Sequence, residues 1–110
     1  MTSGVEQRFH PRFFTVKEGF PGTVRSMDSG EALPGKVVDV SRDGLGFLSE
    51  ERIVPGSKIK MRLNDQEIVF RLVYCTLDDK EKDKFRLGLN LFETKVDLVE
   101  LFTSLELIDQ

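Results

Sequence analysis

The sequence predicts a small all-β domain, about six short antiparallel strands closed into a barrel, followed by one amphipathic helix. Three observations predict it. Apolar residues alternate at period two in several runs along residues 36–91, the pattern of strands with one buried face. Turn-forming residues separate those runs at hairpin spacing. After residue 94 the period lengthens, with Leu98, Leu101, Phe102 and Leu105 falling on one helical face.

A first strand is expected within Phe14–Met27, punctuated by Gly19, Pro21 and Gly22, and MDSGEALPG, ending at Gly35, reads as a turn. Lys36–Ser41 is rich in valine, and Gly44–Ser49 offers Leu45 and Phe47 on one side. Lys58–Leu63 points Ile59, Met61 and Leu63 inward and its cations outward. Asn64-Asp65 is a tight-turn pair, so Glu67–Thr76 returns as a hairpin partner with Ile68, Phe70, Leu72 and Tyr74 on one face. DDKEKDK at 78–84 is a solvated hairpin loop, leading into a last strand with Phe85, Leu87, Leu89 and Leu91. Thr94 with Asp97 three positions on resembles a capping box. The organisation is a flexible arm at 1–12, a barrel at 13–93 and the helix at 94–110, all one domain. Closure into a barrel removes sheet edges that would otherwise invite association.

Composition narrows the function. With 110 residues, 39% apolar, one domain can bury a core without staples. A net charge of −3 argues against bulk DNA binding, yet Arg8, Arg12, Lys17 and His10 cluster near the start, where a small anion can be captured. One cysteine, Cys75, and one histidine, His10, leave no disulfide framework and no metal centre. No apolar run approaches a membrane span, and the polar N-terminus does not read as a signal peptide, so the cytosol is the expected compartment. GxGxxG, phosphate-loop, GxSxG and HExxH motifs are all missing, and the carboxylate pairs Glu50-Glu51 and Asp78-Asp79 lie in expected loops beside cations. No catalytic residues and no cofactor are expected.

Two motifs carry a binding reading. QRFHPR at 7–12 holds an RxxxR pattern, Arg8 and Arg12, weakly specific alone. Arginine presents a planar fork that grips phosphate bidentately or reads the two acceptors on the Hoogsteen edge of guanine. Pro11 disfavours helix at His10, so both arginines are expected on an extended arm. DVSRDG at 39–44 holds a DxSxxG pattern after a valine-rich strand. The spacing of two puts Asp39 and Ser41 on one side of a strand. A carboxylate there can accept from guanine's amino and imino groups, and Gly44 permits a tight turn. The same residues also suit a serine- or Asx-stabilised turn closing a hairpin, and the two readings are compatible.

An RxxxR arm followed by DxSxxG on the second strand resembles the PilZ domain, a bacterial receptor family for cyclic di-GMP. The resemblance extends over GKVVDVSRDGLGF at 35–47, PGSKIKMRL at 55–63 and FRLGLNLF at 85–92. It implies a six-stranded antiparallel split barrel with a C-terminal helix. It implies that Arg8 and Arg12 hold phosphates and guanine edges, that Asp39 and Ser41 read a guanine, and that Gly44 shapes the turn beneath. Gln7 stands where many relatives carry another arginine, which bears on whether one or two ligands bind. Tyr74 falls where many relatives place a tryptophan, and either stacks on the ligand or belongs to the core. Arg42 and Arg86 are further candidate phosphate contacts. The implied function is a cyclic di-GMP effector whose arm orders on binding and signals to a protein of motility, polysaccharide or secretion machinery. Two alternatives stay open: a PilZ-type adaptor without ligand, and a single-stranded nucleic-acid barrel. The latter usually needs exposed aromatics in a basic groove, whereas most of the nine phenylalanines here fall at core positions or near the arm.

Overall fold

Where apolar and polar residues alternate, the strands form and bury the expected faces. The computed structural model describes residues 13–63, 65–92 and 95–108. Its elements are β1 (Phe14–Ser26), β2 (Ala32–Val40), β3 (Gly44–Ser49), β4 (Lys58–Leu63), β5 (Gln66–Leu77), β6 (Phe85–Leu91) and α1 (Leu98–Ser104). All strand pairs are antiparallel, and the sheet closes in the order β1-β2-β3-β6-β5-β4. Val24, Val37, Phe47, Ile59, Ile68, Phe70 and Leu87 fill the interior with essentially no exposure. The core extends into α1, whose Leu98 and Phe102 are fully buried, with the Phe102 ring set edge-on to Phe20 at 6.1 Å. Burying a phenylalanine of this kind stabilises the fold by about 3–5 kcal/mol relative to alanine.

Three expectations are corrected. The turn before the second strand is shorter than MDSGEALPG: pairing resumes at Ala32, with Leu33 buried and Pro34 opposite Thr23. The β2–β3 ladder starts only at Gly35, so residues 32–34 lie along an edge, where proline is tolerated. The second correction concerns Tyr74. β5 steps two residues, Leu72 to Tyr74, while β6 steps one, Leu89 to Gly88. That bulge reverses the alternation. Tyr74 therefore leaves the face of Ile68, Phe70 and Leu72 and stands 42% exposed, while Cys75 turns toward the core opposite Leu87. Third, the helix starts later than a Thr94 cap would set it. Asp97 is itself the N-cap, its carboxylate accepting the Glu100 N–H at 3.2 Å. Thr94 lies outside the described residues.

Two further irregularities shape the outer surface. Between Thr15 and Phe20, β1 spends five steps against two on β2, and the extra residues bulge outward with Glu18 and Gly19 at positive φ. The bulge is anchored by the Lys17 N–H, which donates to the Leu107 carbonyl at 2.8 Å. β3 is buried along its whole length, on both faces. Side chains from neighbouring elements must therefore lie across its outside.

Candidate functional site

What lies there is polar. The register places Asp39 of β2 opposite Gly46 of β3, Gly46 opposite Gly88 of β6, and Gly88 opposite Tyr74 of β5. This row crosses four strands on the outer wall, a carboxylate at one end and a phenol at the other, with two glycines between. A β-carbon on Gly46 would meet the Asp39 carboxylate and would stand 3.0 Å from Arg86 Nη2. One on Gly88 would overlap the Tyr74 ring. The glycines thus form a saddle that lets both side chains lie flat on the backbone.

Arg86 reaches into the saddle from the neighbouring row and donates from Nη2 to Asp39 Oδ2. Their side chains are 32% and 21% exposed, half-sheltered and not sealed. Burial opposes the Arg86 charge, but the Tyr74 hydroxyl and the Asp39 carboxylate outweigh it, so the guanidinium pKa moves upward. The other carboxylate oxygen, Asp39 Oδ1, is buried and has no hydrogen-bond partner among the described residues. An ionised oxygen left in that state is costly, and a donor brought to it gains correspondingly.

A cleft of about 550 Å³ opens beside this pair. Leu48, an outward-facing leucine only 5% exposed, and Val38 form an apolar floor. The β1 bulge (Val16, Glu18, Gly19) is one wall and the start of the β5–β6 loop (Asp78–Glu81) the other. The loop is organised by Asp78 Oδ2, which accepts the Glu81 N–H at 2.9 Å and the Lys80 N–H at 3.0 Å. These bonds, Glu81's foremost, hold the Asp78 carboxyl below its ordinary pKa, with burial opposing. Lys36 on the floor pairs with Glu81 at 3.7 Å.

The DxSxxG residues divide their work. Asp39 faces the cleft. Ser41 lies one residue past β2, buried, and serves the turn: its N–H donates to the Gly44 carbonyl at 2.8 Å, and its hydroxyl donates to the same oxygen at 3.3 Å. Arg42, at the tip of that turn, is 84% exposed and pairs through Nε with Asp97 at 3.3 Å. The Leu98 N–H donates to the Arg42 carbonyl at 3.0 Å, so the turn and the helix start are tied together. Arg86 adjoins Asp39 and links it to Tyr74 at the far end of the row, whereas Arg42 is held toward α1. Gln7, Arg8 and Arg12 lie outside the described residues.

Sequence reasoning missed the glycine saddle and the role of the charged loop as a wall. Gly46 and Gly88, each filling an outward position between alternating apolar residues, were the available signal. Among the described residues no group of histidine, cysteine and carboxylate side chains could hold a metal ion, and no helix is long and apolar enough to cross a membrane.

No curated protein matches this chain. Among solved structures, the fold is similar to the PilZ domain with c-di-GMP of YcgR from Escherichia coli, with a TM-score of 0.57 and 14% sequence identity. That match covers 87% of this chain and 84% of the other. The family model described as PilZ domain matches residues 6–104. The chain belongs to the PilZ domain family.

Proposed function

We propose that this domain is a cyclic di-GMP receptor in which Asp39 reads a guanine and arginines hold the phosphates. The observation that carries this is the unpartnered Asp39 Oδ1, buried beside Arg86 at the mouth of the cleft. A carboxylate is the natural acceptor for guanine's imino and amino groups. Oδ1 is the first acceptor, uncovered when the Asp39 and Arg86 side chains shift to admit the base. Oδ2 becomes the second once Arg86 exchanges it for a ligand phosphate, a bidentate partner that suits a guanidinium equally well. Tyr74, exposed on the saddle, supplies a ring for stacking. Ser41 and Gly44 hold the turn that aims Asp39, and Arg42 adds a solvent-facing cation.

Arg8 and Arg12 complete the site from residues 1–12, with Gln7 beside them where a third cation would favour a second ligand. Ligand binding fixes this arm against the barrel and creates a surface for a downstream protein. Such a switch needs no chemistry, only a different affinity in the two arm states. The receptor acts in the cytosol, where the second messenger is made available to it.

The nucleic-acid alternative finds little support. Phe47, Phe70 and Phe102 are buried, and Phe14, Phe20 and Phe85 pack against the core. Among the described residues only Phe13 and Tyr74 expose an aromatic ring substantially. Calorimetric titration with cyclic di-GMP tests the proposal. Saturable binding weakened at least about tenfold, or about 1.4 kcal/mol, by Asp39→Ala supports it. Binding unaffected by that change refutes the assigned role. Absence of binding to any guanine nucleotide, with a protein partner still bound, points instead to the adaptor.

A further inference from the structure

We infer that the barrel wall opposite this site is a docking surface for an acidic segment of a partner protein. In the closed strand order β4 lies across the barrel from β3, flanked by β1 and β5. Its outward residues are Lys58, Lys60 and Arg62, and the register sets Arg25 of β1 opposite Lys60 and Arg71 of β5 opposite Lys58. Five of the chain's sixteen basic residues therefore share one wall, in a chain whose acids outnumber its bases.

Folding does not account for this arrangement. Like charges directly opposite on neighbouring strands are destabilising, and here two such pairs adjoin. Among the described residues, the single carboxylate paired with any of the five is Glu67, 3.9 Å from Arg62. Lys58 and Arg71 instead both rest on the Phe92 ring, at 4.8 and 4.6 Å, and Arg25 donates to the Gly30 carbonyl at 2.7 Å. The turn acids Asp28, Glu31 and Asp65 stand at the margins without reaching the wall's cations. An excess of positive charge held on a rigid sheet is an electrostatic complement for an acidic surface.

The details favour protein over the other polyanions. Phe92, the wall's aromatic ring, is half-buried and already engaged by two cations, with which a stacking nucleic-acid base would compete. The wall of a barrel is convex, so a flat anionic bilayer meets only its central row, at about 1 kcal/mol per cation. β4 is hydrogen-bonded on both sides, so a partner cannot add a strand and must be recognised through side chains. Val73, 50% exposed on the outward face of β5, gives the surface an apolar margin. An acidic segment carrying an apolar residue fits this combination. It would bind without obstructing the ligand cleft.

The test is fluorescence anisotropy with a labelled peptide of glutamates and leucines at low salt, run beside phosphatidylserine–phosphatidylcholine vesicles and an oligo-thymidine strand. The peptide should bind wild type, weaken as salt rises, and lose at least about tenfold in affinity in Lys60→Glu/Arg71→Glu. A variant with the same change of net charge elsewhere, Lys82→Glu/Lys95→Glu, should keep most of it. Circular dichroism verifies folding, and Lys60→Gln/Arg71→Gln replaces the charge reversal where that variant is unfolded. Absence of peptide binding, equal loss in both double variants, or tighter binding to vesicles or oligonucleotide would overturn the inference.

Discussion

Replacing Gly46 with alanine separates the site from the fold. The added methyl group lands against the Asp39 carboxylate, with the carboxyl carbon 3.2 Å and Arg86 Nη2 3.0 Å away. Both are ends of flexible side chains, so the barrel accommodates the change by moving them. Alanine also lowers the entropy of the unfolded chain, worth about 0.4–1 kcal/mol, so net stability should stay within about 1 kcal/mol of wild type. The displaced carboxylate can no longer present its oxygens in the saddle. Losing one charge-assisted hydrogen bond to guanine costs about 1.5–3 kcal/mol, or roughly 10- to 150-fold in affinity for cyclic di-GMP. Gly35→Ala is the control, because its methyl group would strike the Leu48 carbonyl and the Phe47 ring, which cannot move aside without distorting the barrel. Calorimetry and urea denaturation read the two effects separately. If Gly46→Ala binds as tightly as wild type, or unfolds as readily as Gly35→Ala, the saddle does not work in the manner described.

Other substitutions probe the surroundings. Tyr74→Leu should weaken cyclic di-GMP binding by about 1–3 kcal/mol in calorimetry while changing the urea midpoint little, since the ring is well exposed. Asp97→Ala removes both the α1 cap and the Arg42 pairing, and should cost about 1 kcal/mol in denaturation, more than Arg42→Ala, whose side chain is largely solvated. The β5–β6 loop should loosen in acid. Because folding lowers the Asp78 pKa, its contribution is complete above the ordinary value of 3.8 and is lost as pH falls through the lower folded-state value. Faster hydrogen exchange at the Lys80 and Glu81 amides in Asp78→Ala at neutral pH would match that loss; unchanged exchange would contradict it.

The parts of the fold legible in sequence are those where one local rule governs. Ile59, Met61 and Leu63 alternate without interruption, and Leu63 pairs with Gln66 across a turn with Asp65 at positive φ, so β4 and β5 appear where the pattern puts them. Bulges break that legibility, because one extra residue reverses the faces without changing composition. Alternation alone puts Tyr74 on the face of Ile68, Phe70 and Leu72, and the bulge turns it outward. Thr94 spaced three residues before Asp97 points to an earlier helix start, and only the chain path shows that Asp97 itself accepts the Glu100 N–H.

The candidate site follows the same division. Asp39 and the turn built on Ser41 and Gly44 lie close in sequence, and their spacing reveals them. The link between Asp39 and Arg86 spans 47 residues and depends on β3–β6 register, which no local pattern encodes. Leu48 reads as one more apolar strand residue, yet it faces outward and floors the cleft because a loop and a bulge cover it. Gly46 and Gly88 acquire their meaning only as direct neighbours.

The most direct test of the central claim is calorimetric titration of cyclic di-GMP into wild type, Arg8→Ala, Arg12→Ala and Asp39→Ala. If the arm and the barrel wall are two halves of one site, wild type binds saturably and each variant loses at least about tenfold in affinity. Wild-type affinity in all three variants, or no binding to wild type at all, would contradict it.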